Sequence, residues 1–157
     1  VLALWLQMPD ERGMSIFLAY AGLFSASFLA ATLLPMQSEA VLLTMMASEK
    51  FIPWLLLLVA SCGNILGSLV NWWMGRALLQ FQHRRWVPFS AEQISRAQGW
   101  YQHFGQWTLL ASWMPIIGDP LTLIAGVMRM PLWRFLLLVT VAKTARYFLL
   151  IQLWQSF

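Results

Sequence analysis

Two carboxylates, each four residues beyond a proline and set in otherwise uncharged apolar sequence, constrain this chain more than any other feature. One lies in Leu34-Pro35-Met36-Gln37-Ser38-Glu39, the other in Trp113-Met114-Pro115-Ile116-Ile117-Gly118-Asp119-Pro120. Proline interrupts a helix, and an ionisable group at membrane depth must face protein rather than lipid. Both stretches therefore read as broken segments that turn inside a protein. The correspondence continues downstream, where Phe51-Ile52-Pro53-Trp54 and Met130-Pro131-Leu132-Trp133 each open a long apolar run. Such agreement between halves marks an internal duplication, which in membrane carriers places the substrate site where the broken segments meet.

Hydrophobic residues make up 60% of the chain and charged residues 10%, against about 25% charged in soluble domains. This is the composition of a membrane protein. Its 157 residues suffice for one compact bundle, because each span uses about 20 residues. The net charge of +4 does not point to nucleic acid, since the cations flank or interrupt apolar segments. Cys62 is the single cysteine, and neither His83 nor His103 stands at a zinc-ligand spacing from it, so neither a metal nor a cofactor is expected.

Residues 1–13 read as an N-terminal extension, with Met14 an alternative start and no signal-peptide pattern. Residues 14–157 form one membrane domain with a first half 14–76, a connector 77–105 and a second half 106–157. Ile16 to Leu34 is uncharged, long enough either to cross a bilayer or to be the entering limb of a re-entrant hairpin that Pro35 ends. Met36 to Ser48 is too short to span and suits the returning limb. Phe51 to Met74 is the surest span, with Trp54 at one end and Trp72-Trp73 at the other as an aromatic belt. Gly63 and Gly67 form a GxxxG pair, and Asn64, Ser68 and Asn71 share their stripe, a face for helix packing or for lining a cavity. Gly75-Arg76 closes this helix at its cytoplasmic end.

Pro88 interrupts the basic connector, which holds His83, Arg84, Arg85 and Arg96. Ser90 and Gln93 form a capping box, and Ile94, Ala97, Tyr101 and Phe104 then recur at helical spacing up to Gly105, predicting an amphipathic surface helix. In the second half, short limbs from Trp107 to Pro115 and from Leu121 to Met128 flank a bend at Gly118-Asp119-Pro120. Leu132 to Trp154 is the second full span and carries Lys143 and Arg146 on one face. A cation near the centre of a span costs about 3 kcal/mol, so this pair should turn inward toward Glu39 and Asp119. The fold expected is an all-α integral membrane protein: an inverted repeat of re-entrant helical hairpin plus transmembrane helix, joined by a cytoplasmic amphipathic helix. The excess of arginine about the connector makes that side cytoplasmic and both termini periplasmic.

From Met14 onward the residues resemble the DedA, or VTT-domain ("SNARE-associated"), membrane proteins, in particular a short bacterial YqaA-like branch. The resemblance rests on Ser27 to Glu39, Gly63 to Gly67 with Gly75-Arg76, Phe104-Gly105, and Ser112 to Arg134. It implies two opposed re-entrant hairpins in a bacterial inner membrane and movement of lipids such as polyprenyl phosphates, tied to the proton gradient. Glu39 matches the family's acid after the first hairpin proline, and Gly75-Arg76 its glycine-arginine at the helix end. Ser68 stands where typical members carry an acid, and Ser112 and Gly118 where they carry arginines. Asp119, Lys143 and Arg146 are charges the typical pattern lacks.

The function expected is therefore a transporter or flippase of a lipid or other amphipathic anion, not an enzyme. Glu39 and Asp119 would bind or relay protons, and Lys143 and Arg146 would hold the anionic headgroup. Its partners would be membrane lipids and protons, with a homo-oligomer left open. The alternatives are a scramblase without proton coupling, a noncatalytic envelope-homeostasis protein, and an intramembrane aspartyl protease. The last fits worst: Ile116 stands where a protease-like element would carry glycine, and the second acid is Glu39.

Overall fold

The computed structural model describes residues 11–32, 37–48, 50–78, 90–114 and 117–156, and every regular element among them is helical. In chain order these are α1 (Glu11–Thr32), α2 (Gln37–Ala47), α3 (Pro53–Leu78), α4 (Ala91–Phe104), a 3-10 helix (Gly105–Trp113), α5 (Gly118–Val127) and α6 (Leu132–Gln155). Three helices are long and apolar enough to cross a membrane: Gly13–Thr32, Pro53–Ala77 and Leu132–Gln155. Two full spans were expected, with the stretch before Pro35 left open between span and limb; α1 has the length of a span. By contrast α2 and α5, of 11 and 10 residues, extend only about 15 Å, half the hydrocarbon thickness. Residues 11–13, read as part of an extension, belong to α1.

The bundle is built around α3. Its glycine stripe lets α1 approach closely: a Cβ at Gly63 would lie 2.5 Å from the Phe24 carbonyl oxygen, and one at Gly67 would lie 2.5 Å from that of Phe28. Partners advance together along both chains, so α1 runs parallel to α3. Farther along, α5 crosses α3 through a reciprocal pair: a Cβ at Gly75 would overlap the Leu123 carbonyl, and one at Gly126 that of Trp72. Helix α6 runs antiparallel to α3. Its early residues Phe135 and Val139 share one core with Trp72, Leu121 and Ile124. Its later residues Tyr147 and Ile151 share a second core with Leu23, Leu42, Leu56 and Ala60. Between these two apolar layers, near the midpoints of α3 and α6, lie the buried polar side chains of Asn64, Ser68 and Lys143.

Several local expectations are corrected. Trp72 is a core residue, 8% exposed against 66% for Trp73 and 61% for Trp54. Successive helical residues point about 100° apart, so the two tryptophans cannot share a lipid-facing belt. The Trp72 ring instead packs on Phe135, and its Nε1 donates to the Met130 carbonyl at 3.2 Å. Helix α3 continues past Gly75-Arg76 to Leu78, because Gly75 serves the crossing with α5 rather than a stop. Gly118 and Pro120 do not break a helix; they lie in the first turn of α5. Proline is tolerated there because first-turn N–H groups have no intrahelical acceptor. Gly118 is needed for proximity, since a Cβ would overlap the Ser112 backbone of the 3-10 helix. Pro35, Pro115 and the connector residues 79–89, with His83, Arg84, Arg85 and Pro88, lie outside the described residues.

Helix α4 begins at the expected capping box: the Gln93 amide donates to Ser90 Oγ at 3.2 Å, and the Ser90 amide to Gln93 Oε1 at 2.9 Å. It ends at Gly105, whose φ of 62° favours glycine. The α5–α6 turn places Arg129 at φ 54°, with the Met130 amide donating back to the Ala125 carbonyl at 3.0 Å. That closure satisfies a terminal carbonyl of α5 and lets Pro131 open α6 at once.

Candidate functional site

The broken segments place each acid in the first turn of a short helix, Glu39 in α2 and Asp119 in α5. The N–H groups there lack intrahelical acceptors and the helix dipole is positive, so both positions favour an anion. This is the physical sense of a proline followed four residues later by a carboxylate: the chain breaks, restarts, and sets the acid at the restart.

Both acids are met by cations from the middle of α6. Lys143 Nζ donates to Asp119 Oδ1 at 2.7 Å, and Lys143 is 2% exposed. Arg146 Nε donates to Glu39 Oε1 at 2.6 Å, and a terminal guanidinium nitrogen reaches the same oxygen. This second pair is half-buried. The spacing of Lys143 and Arg146 turns both toward the protein, and each carboxylate pairs with its own cation.

A hydrogen-bonded chain extends from the first pair. Lys143 Nζ also donates to Asn64 Oδ1 at 2.5 Å, and Asn64 Nδ2 donates to the Tyr147 hydroxyl at 2.8 Å. The hydroxyls of Tyr147 and Ser38 lie 3.1 Å apart. Four helices, α5, α6, α3 and α2, thus join through buried polar groups, and the chain ends one residue from Glu39.

The α3 stripe, read as packing or cavity lining, divides between the two roles. Gly63 and Gly67 seat α1, whereas Asn64 binds Lys143 directly. Ser68 Oγ turns back to the Asn64 carbonyl at 2.9 Å. Asn71 Nδ2 donates to the Ala31 carbonyl at 2.7 Å and to Thr122 Oγ1 at 3.3 Å, while Thr122 donates to the Asp119 carbonyl at 2.6 Å. Arg76 stands apart, with its guanidinium 5.2 Å from the centre of the Trp72 ring. Ser38 and Tyr147 were not singled out from the sequence. The signals were present: Ser38 adjoins Glu39, and Tyr147 lies one helical turn beyond Lys143.

Chemically, the site offers two positive helix ends and two cations at the depth where α3 and α6 have their midpoints, each cation occupied by a carboxylate. A phosphate or carboxylate headgroup makes the same demand on Lys143 and Arg146 as do Asp119 and Glu39. Among the described residues no group of three His, Cys, Asp or Glu side chains is arranged to hold a metal ion.

The profile of the VTT domain family matches residues 13–156. The chain is similar to inner membrane protein YqaA of Escherichia coli, 42% identical over 134 residues that cover 85% of this chain and 89% of that protein. A Haemophilus influenzae protein is 30% identical over 143 residues, covering 86% of this chain and 87% of its own length. Undecaprenyl phosphate transporter A of Staphylococcus aureus is 24% identical over 149 residues, covering 87% of this chain and 73% of that one. No solved structure matches significantly.

Proposed function

The chain belongs to the DedA, or VTT-domain, family of membrane proteins, and from that premise we propose that it carries an amphipathic anion, a lipid headgroup, between membrane leaflets together with protons. It is a transporter and not an enzyme, and it resides in a bacterial inner membrane, as the name of the Escherichia coli relative states for that protein. The observation that carries this reading is the pairing of Asp119 with Lys143 and Glu39 with Arg146 at mid-bundle. The distant relative named as an undecaprenyl phosphate transporter supports an anionic lipid as cargo.

The mechanism is competition for cations. While the acids are ionised they occupy Lys143 and Arg146. A proton on either acid removes its charge and frees the cation for a headgroup oxygen, so proton binding and anion binding are linked. The two short helices then act as inverted halves. α2 returns toward the start of α3 and α5 runs toward its end, so one cavity is approached from opposite faces and alternates between them.

Liposomes with fluorescent phospholipid and isoprenoid-phosphate reporters test the cargo. Lys143→Ala and Arg146→Ala should each weaken saturation by the anionic reporter by about tenfold or more, the loss of a charge-assisted contact. Unchanged saturation by both variants would remove the cations from the cargo site.

The connector, with Arg96, is placed on the cytoplasmic side and both termini on the periplasmic side. In a Cys62→Ser background, Lys50→Cys should react with an impermeant maleimide added to intact cells and Arg96→Cys should not. The reverse pattern would invert the orientation.

A further inference from the structure

The Asn64 amide and the Tyr147 hydroxyl are not needed to neutralise either acid, yet both are buried and form the link between the two hairpins. The directions of the two bonds at Asn64 are fixed. Lys143, a donor only, requires Asn64 Oδ1 to face it, which turns Nδ2 toward Tyr147. The Tyr147 oxygen accepts that bond, and its hydroxyl also meets Ser38 Oγ in the first turn of α2, a bond in which either oxygen can donate. Rotating the Asn64 amide would aim its NH2 at an ammonium group, so Asn64 keeps this orientation while Lys143 remains in place.

We propose that Asn64 and Tyr147 are positioning residues that transmit the state of the Asp119–Lys143 pair to α2, so that the two hairpins change together. The inference rests on the reading of Asp119 as a proton-carrying group. When Asp119 loses its charge Lys143 is released, the constraint on the Asn64 amide is lifted, and the Tyr147 hydroxyl that holds Ser38 at the start of α2 loses the Asn64 bond that positions it. Among the described residues, the charged and titratable groups facing this chain are Asp119 on α5, Lys143, Arg146 and Tyr147 on α6, and Glu39 on α2. Helix α3 contributes Asn64, which does not titrate.

The test is a double-mutant cycle read on α2. Ala40 is exposed one residue beyond Glu39, so Ala40→Cys in a Cys62→Ser background reports the start of α2 through its maleimide labelling rate in detergent. Asp119→Asn should change that rate by about fivefold or more, the lower range of allosteric coupling. In Tyr147→Phe, which keeps the ring and removes only the hydroxyl, the same Asp119→Asn change should have almost no effect. Ser38→Ala, a small substitution at the far end of the chain, should abolish the dependence equally, and it serves should Tyr147→Phe fail to fold. A purely structural role would shift the rate alike with Asp or Asn at position 119 and leave their ratio unchanged. An Asp119-dependent ratio that survives Tyr147→Phe or Ser38→Ala, or the absence of any Asp119→Asn effect on position 40, overturns the proposal. Neither cargo nor gradient enters the measurement, so its failure is distinct from failure of the transport reading.

Discussion

Replacing Lys143 by methionine is expected to destabilise the folded protein by about 3–5 kcal/mol, because it leaves the buried Asp119 without its cation. Lys143 is 2% exposed and spans two acceptors, so its removal also leaves Asn64 Oδ1 without a donor. The effect should be far smaller when both partners are removed together. An Asp119→Leu, Lys143→Met variant replaces the ion pair by apolar groups of similar volume, an exchange that is often neutral or stabilising in buried sites. Unfolding in mild detergent distinguishes the two. A double variant as unstable as Lys143→Met would show that the lysine acts through something other than the charge of Asp119. The corresponding Arg146→Met change should be milder, because the Glu39 pair is only half-buried and water can replace part of the loss.

Transport should respond more sharply still. Glu39→Gln and Asp119→Asn are each expected to abolish gradient-driven movement of an anionic lipid while the protein remains folded and inserted. The amides are close in shape to the acids and avoid leaving a carboxylate buried, but they cannot take up a proton. In Asp119→Asn the lysine is permanently free of its acid, so headgroup binding should persist and lose the part of its pH dependence that Asp119 contributes through Lys143. Glu39→Gln should do the same at Arg146. Reporter binding and leaflet exchange, followed separately in the same liposomes, check this. Normal gradient-driven exchange by both variants would mean that the carboxylates serve only to hold the helices together.

That these charges pair was legible in the sequence, and the reason is energetic. Glu39, Asp119, Lys143 and Arg146 stand in apolar stretches where an unpaired charge is too costly, and few partners exist at that depth. Which acid meets which cation was not legible, because it depends on the register of α6 against two short helices that pack on it from different sides. The GxxxG pair at Gly63 and Gly67 announced close packing, whereas the reciprocal crossing at Gly75 and Gly126 did not. Each is an isolated glycine, and only the approach of two backbones gives it meaning. Gly118 and Pro120 resembled breakers because both residues interrupt helices when internal. At the first turn of α5 one permits contact with Ser112 and the other is free of the usual penalty. Asn64 was read with its neighbours in the stripe as packing or cavity lining, and Tyr147 was passed over as one aromatic residue in a long span. Their hydrogen bond required α3 and α6 to be set side by side.

The coupling of anion movement to protons is the centre of this account, and one measurement reaches it directly. Purified wild-type protein in liposomes, loaded with an isoprenoid-phosphate reporter, is followed with and without a pH difference across the bilayer. If one proton accompanies each anion, a difference of one pH unit should sustain up to about tenfold unequal distribution of the reporter between leaflets, and dissipating the gradient should return it to equality. Equal distribution at the same rate whether or not the gradient is present would contradict the account and make the protein a scramblase.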